Sequence, residues 1–302
     1  MKRIVSVSLG SSNRDHRAEV TILGEKVIVE RVGTDGNLDK AVELISSLDG
    51  KVDAFGLGGI DRYLVAGNRR YEIKDAVRLV KAARQTPVVD GSGLKNTLER
   101  RVVSFIEADL KLELKGKKVL MVSAVDRFGM AEAFSQSGCR MLFGDLIFAL
   151  GLPVAITSLK TLQHLANAFL PVITRLPFKM LYPTGSKQEV NQAKYSRYYE
   201  TADIIAGDFL YIKKYMPWRM DGKIIVTNTV TSADLAELEK RGVALLVTST
   251  PEIAGRSFGT NVMEALLVSF SGKRSEELRE EDYLQLLDRL GFNPRVVSFK
   301  AS

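Results

Sequence analysis

Apolar positions along the chain follow two periods, and each change of period marks an element. Residues 3–9 read as an apolar strand. Residues 18–23 and 26–32 flank Gly24-Glu25, which predicts a hairpin. The period then lengthens, and Leu38, Ala41, Val42, Leu44, Ile45 and Leu48 share one face of a helix. Residues 52–57 form a buried strand ending in Gly58-Gly59-Ile60-Asp61, and a second hairpin spans 63–66 and 69–73. A helix over 74–84, a short strand over 87–89 and a long helix over 94–110 complete a mixed α/β N-terminal domain, expected to cover residues 1–115.

The stretch that organises the rest is 117–145, KKVLMVSAVDRFGMAEAFSQSGCRMLFGD. Residues 119–122 are a nearly continuous apolar run, as in a strand buried on both faces. A turn at 123–127, a helix over 128–137 stopped by Gly138, a strand over 139–143 and an acid, Asp145, follow. This is the opening unit of a Rossmann-type fold, with Asp145 about 20 residues past the turn, where a carboxylate can accept from a ribose 2′-hydroxyl. Aligning Gly129 with the third glycine of the usual fingerprint puts Ala124 and Asp126 at the first two, and a carboxylate at Asp126 repels a pyrophosphate. Strands over 154–157, 202–206, 223–227 and 243–248 follow. Helices over 158–170, 232–241 and 261–269 come among and after them. Together they predict a mostly parallel, doubly wound Rossmann-like domain over 116–272. Residues 178–182 read as extended, and a helix of mixed polarity starts at Ser186. A helix over 276–290 and the tail, residues 273–302 together, are expected to pack back on the body.

In such a sheet ligands lie outside the carboxyl ends of the strands. The candidate cofactor-binding residues at those ends are Ala124, Asp126, Arg127, Gly129, Asp145, Asp208, Thr227, Asn228 and Thr248. The loop TPEIAGRSFGTN (250–261) leads straight into a helix. Its Arg256 matches a carboxylate or phosphate with a planar fork, and Ser257, Thr260 and Asn261 stand near it as candidate substrate contacts. In the first domain Asp90-Gly91-Ser92-Gly93-Leu94-Lys95 is another strand-to-helix turn. Asp90 and Lys95 are the candidate acid/base pair, facing an interdomain cleft that Gly59 and Asp61 would also line.

Composition narrows this picture. The 302 residues are 45% apolar and 26% charged, the profile of a soluble globular chain. With one cysteine, Cys139, and two histidines, His16 and His164, neither an internal disulfide nor a usual zinc site can form, and a reducing cytoplasm is expected. The N-terminal apolar run is too short for a signal peptide. Residues 141–159 carry a single charge, but Gly144, Gly151 and Pro153 break them into pieces, so no membrane span is expected. The net charge of +7 is spread along the chain; it favours small anionic metabolites, and no nucleic-acid motif accompanies it. Homo-oligomerisation is left open.

Three runs carry a family resemblance: GDLIFALGLP (144–153), YYETADIIAGDFLYIKKYMP (198–217) and VTSTPEIAGRSFGTNVMEAL (247–266). Over most of 118–270 the chain resembles a bacterial family labelled quinate 5-dehydrogenase, and its order of parts resembles the shikimate/quinate dehydrogenase architecture. The resemblance implies an NAD-dependent oxidoreductase passing hydride to or from a small hydroxy acid of the quinate or shikimate kind. Asp145 would hold the ribose, which favours NAD over NADP. Gly129 and its helix would hold the phosphates, Thr227-Asn228 and Thr248 would flank the nicotinamide, and Lys95 and Asp90 would handle the proton. The chain departs from that family's pattern in several places. Ser11-Ser12 lack flanking prolines, Lys95 follows Gly93-Leu94, and Asn96-Thr97 is followed by Leu98 rather than an aspartate. The alternative is a non-catalytic Rossmann-like protein that binds or senses a small anionic metabolite or nucleotide.

Overall fold

The structure, a computed structural model, describes residues 1–66, 69–175, 191–253, 256–273 and 275–299, with backbone alone for 64–66, 69, 70, 172, 173, 253, 256 and 257. The expectations for 178–182 and Ser186 lie outside the described residues. Strands β1 (Lys2–Ser8), β2 (His16–Ile22), β3 (Glu25–Gly33), β4 (Ala54–Gly58) and β7 (Val88–Val89) form a sheet in the order β2-β3-β1-β4-β7. It is parallel except for β2, which runs antiparallel to β3. Between β4 and β7, β5 (Tyr63–Ala66) and β6 (Arg69–Glu72) pair with each other. The second sheet takes β8 (Lys118–Met121), β9 (Arg140–Phe143), β10 (Ile204–Ala206), β11 (Ile224–Thr227), β12 (Leu245–Thr248) and β15 (Arg295–Ser298), in the order β15-β12-β11-β10-β8-β9. Two short strands, β13 (Glu252–Ile253) and β14 (Arg256–Ser257), form a separate ladder. The fold is therefore α/β with two mostly parallel sheets.

Local chemistry accounts for most of these elements. The first hairpin turns at Leu23-Gly24, both with positive φ (51° and 78°), because that backbone twist matches the twist of the strands. The Leu38–Leu48 helix starts where the Asn37 side chain accepts from Lys40 N at 2.9 Å, and it buries Ala41 and Ile45. In β1, Ile4 and Val5 are fully buried between layers of helices, which is why the strand reads as a continuous apolar run rather than an alternating one.

Two expectations for the second half are corrected. Residues 154–157 form no strand; Ile156 makes a single antiparallel bridge to Phe143 and Val154 is exposed. Pro153 has no N–H to donate to a ladder there. In the tail, Arg295–Ser298 is a strand, laid antiparallel on β12.

The Thr260–Ser271 helix was expected on the second sheet. It lies instead on β1 and β4 of the first, with Val262, Met263 and Leu266 packed among Ile4, Val29 and Ala54. The Ser92–Ala108 helix joins the two halves. Leu94 and Leu98 belong to that first core, whereas Val102, Val103 and Ile106 belong to the core of the second sheet with Val119 and Phe134.

Candidate functional site

Two carboxyl edges meet at one cleft. Tyr63 follows β4, Ser92, Lys95 and Asn96 follow β7, and Asp126 and Phe128 follow β8; together they line a space of about 290 Å³, its open mouth included.

Lys95 crosses this cleft. Its Nζ lies 2.7 Å from Asp126 Oδ1 and 3.2 Å from Asp61 Oδ1, and the three side chains are 12%, 24% and 17% exposed. Burial would lower the Lys95 pKa, but Asp126 and Asp61 outweigh it and hold the ammonium charged. Asp61 and Asp126 compete for that one ammonium. Burial pushes Asp61 up, with Asp126 adding repulsion, whereas Lys95 and Arg127 overcome burial and hold Asp126 down.

Arg127 stands behind this pair, 5% exposed. Its guanidinium reaches Glu99 and Asp208 at 3.2 Å each and Asp126 at 3.4 Å. Burial raises the Glu99 pKa to about 7, against the pull of Arg127. Glu99 Oε2 also accepts from Met130 N at 3.3 Å. The acids Asp61, Glu99, Asp126, Asp145 and Asp208 outnumber Lys95 and Arg127 around the cleft, although the whole chain is basic. Tyr211 joins the group: burial first, then Asp126 and Asp208, raise its pKa.

These contacts decide whether the turn fits a dinucleotide. A pyrophosphate at a Rossmann turn takes the N–H groups of the turn and of the helix start. Here the chain supplies its own carboxylates. Asp145 Oδ1 accepts from Val125 N at 2.9 Å. Glu99 takes the helix-start amide of Met130, and a Cβ at Gly129 would come within 3.2 Å of the Asn96 backbone. The residues expected for a dinucleotide, Ala124, Asp126, Arg127, Gly129 and Asp145, therefore do not fit one. Gly129 lets two helices approach, and Asp145 turns beneath the loop rather than outward to a ribose.

The other strand-end candidates satisfy backbone groups. Asp208 caps the Phe209–Tyr215 helix through Leu210 N (2.9 Å) and accepts from Asn228 Nδ2 (3.0 Å). Thr227 Oγ1 donates to Gly207 O, and Thr248 Oγ1 to Thr250 O. Asp90 does not pair with Lys95. It accepts from Arg62 N at 2.5 Å and from Ser92 N and Oγ. Thr260 and Asn261 seat their helix on the first sheet. Asn261 Nδ2 donates to Ser6 Oγ at 2.8 Å, and Cβ atoms at Gly56 or Gly91 would strike the Asn261 backbone. Gly59, at φ +71°, packs against Gly10 N beside Asp61. Arg256 and Ser257 are in β14; their side chains lie outside the described residues.

Sequence reasoning missed Glu99, Ser92, Asn96, Tyr63 and Tyr211. A signal for three of them was present. Ser92, Lys95, Asn96 and Glu99 follow i, i+3, i+4, i+7 spacing, a polar stripe on one face of the Ser92–Ala108 helix. Among the described residues, no group of three or more His, Cys, Asp or Glu could hold a metal ion, and no helix is long and apolar enough to cross a membrane.

Fold and cleft define a two-sheet α/β protein with a charged cleft between carboxyl edges. The chain belongs to the family described as Domain of unknown function (DUF8754), which matches residues 93–299. A second model, Domain of unknown function (DUF8753), matches residues 3–90, so the two matches meet at the start of the Ser92–Ala108 helix. No curated protein matches the chain. Solved structures resemble it at low identity. A Mycobacterium smegmatis protein in complex with β-D-fucofuranose has a TM-score of 0.36 at 9% identity, covering 99% of this chain and 100% of that one. GanP, a glucose-galactose binding protein from Geobacillus stearothermophilus, has 0.38 at 10%, covering 98% and 97%. The NAD-dependent malic enzyme of Thermotoga maritima has 0.35 at 12%, covering 97% and 85%. Likenesses this distant say nothing about a ligand or a reaction in this chain.

Proposed function

We propose that this chain binds a small hydroxylated, non-anionic molecule in the cleft at Lys95, and that no dinucleotide takes part. The observation that carries the reading is the Lys95 ammonium held between Asp61 and Asp126 on the cleft wall. A hydroxyl is both donor and acceptor, so it can donate to either carboxylate while accepting from the ammonium. Ser92 and Asn96 add uncharged partners, and Tyr63 and Phe128 add ring faces. An anion would have to face both aspartates. The quinate- or shikimate-like acid and the anionic metabolite that the sequence suggests are therefore disfavoured against a neutral polyol. The oxidoreductase reading needs a nicotinamide cofactor, and the amides it would use are taken by Glu99 and Asp145.

Calorimetric titration at fixed ionic strength tests this with myo-inositol, glucose, quinate, shikimate, NAD and NADP. A neutral polyol should bind more tightly than either acid, and neither dinucleotide should give a binding heat. Asp126→Asn should weaken the polyol by about 10- to 100-fold, the loss of a charge-assisted hydrogen bond. Tight quinate binding, or saturable NAD binding, would restore the dehydrogenase reading.

A further inference from the structure

Part of the apolar stretch over 141–159 is left outside by the fold. Ala149, Leu150, Gly151, Leu152, Pro153 and Val154 are six consecutive apolar residues, and all six are exposed. Leu150 and Val154 are 57% exposed and Leu152 is 50% exposed. Single exposed leucines are ordinary, but an unbroken exposed apolar run marks a surface made for contact. The run is fixed in place rather than frayed. Gly151 N and Leu152 N donate back into the Asp145–Leu150 helix, to Ile147 O at 3.0 Å and Leu146 O at 2.9 Å, and Val154 N donates to Leu152 O. Tyr195 Oη donates to Gly151 O at 2.8 Å, and Tyr198 Oη to Pro153 O at 3.1 Å.

The chemistry of the partner follows from what the loop offers. From Gly151 to Pro153 every backbone N–H and C=O is bonded within the chain, so a peptide strand would find no ladder to join there. What is left is aliphatic side chains with a basic flank. Arg197, which is exposed, donates to Tyr198 Oη at 2.8 Å, and its guanidinium lies 4.7 Å from the centre of that ring. Lys194, also exposed, precedes Tyr195. No aspartate or glutamate occurs in 149–160 or 191–198. A second copy of this face would set basic groups against basic groups, which is unfavourable. An anionic lipid surface suits all three features: aliphatic tips enter the acyl boundary, tyrosines sit at the interface, and cations meet the headgroup phosphates. Among the described residues no helix is long and apolar enough to cross a membrane, so this contact lies on the surface of the bilayer.

We propose that the 149–154 loop docks on an anionic lipid surface, with Leu150, Leu152 and Val154 inserted at the acyl boundary and Lys194 and Arg197 against the headgroup phosphates. This contact goes beyond the cleft reading and stands without it. The full chain is co-sedimented with vesicles of phosphatidylcholine alone and of equal parts phosphatidylcholine and phosphatidylglycerol, at low and at high salt. The wild type should pellet with the mixed vesicles, less with the neutral ones, and less again at high salt. Leu152→Asp should weaken binding at least about tenfold, since it removes apolar area and adds a charge that the lipid repels. Arg197→Gln should weaken it about fivefold, the contribution of one basic residue near an anionic surface. Both side chains are at the surface, so both variants should keep the wild-type melting temperature, and Val154→Asp replaces Leu152→Asp if that variant folds poorly. No pelleting with the mixed vesicles, equal pelleting with both kinds, or unchanged pelleting of Leu152→Asp and Val154→Asp would overturn the proposal. Sedimentation velocity without lipid completes the test: self-association that Leu152→Asp abolishes, with no vesicle binding by the wild type, would give this face to a second copy instead.

Discussion

Arg127→Met should destabilise the chain by about 3 kcal/mol or more at pH 8, measured by urea unfolding, because removing one partner of a buried ion pair strands the other charge. Three carboxylates share this guanidinium, and Arg127 is 5% and Glu99 1% exposed. The loss should depend on pH. Burial already raises folded Glu99 to about 7, and without Arg127 it rises further. A carboxyl whose folded pKa lies above its unfolded value stabilises the fold while it is protonated, and that stability is lost as pH rises through the interval. The penalty of the variant should therefore shrink as pH falls from 8 towards 5. A loss under about 1 kcal/mol, or the same loss at both pH values, would mean that the network is not the internal tie described here.

Gly91→Ala should cost about 2–4 kcal/mol and should loosen the seat of the Thr260–Ser271 helix on the first sheet. Gly91 sits at φ +94°, a region costing an L-residue roughly 1–2 kcal/mol. An added Cβ would also lie 2.8 Å from Asn261 N and 3.0 Å from Thr260 C, and overpacking of this kind costs about 1–3 kcal/mol. Both contacts are backbone at the start of the helix that lies on the first sheet, so neither yields cheaply. Gly116 provides the control. Its φ is +78°, but nothing lies within 4 Å of its Cβ position, so Gly116→Ala should cost only the backbone part, about 1 kcal/mol. If the two variants melt alike, the close approach of Gly91 to Asn261 is not what holds the helix in place.

Local elements were legible because they depend on neighbours in sequence. The 3.6-residue period of residues 38–48 and the apolar runs of β1, β8 and β11 predict their elements, because a helix face or a strand buried on both sides imposes its own pattern. The α/β class followed from strands alternating with helices. In the turn after β8, Asp126, at the second position of the expected glycine motif, pairs with Lys95.

Only the tertiary structure decided which partners those residues meet. Lys95, six residues past the end of β7, was singled out with Asp90, yet Asp90 bonds the Arg62 and Ser92 amides while Lys95 bridges Asp61 and Asp126. Asp145 stands at the distance from the turn that suits a ribose, but its carboxyl turns under the 123–127 loop. Thr260 and Asn261 belong to a helix that returns to β1 and β4, more than 200 residues away in sequence. Each of these outcomes depends on long-range approach: a carboxylate pairs with whichever donor the packing brings to it, and spacing along the chain carries no record of that donor. Periodicity therefore determined the elements, and the docking of the Ser92–Ala108 and Thr260–Ser271 helices determined the site.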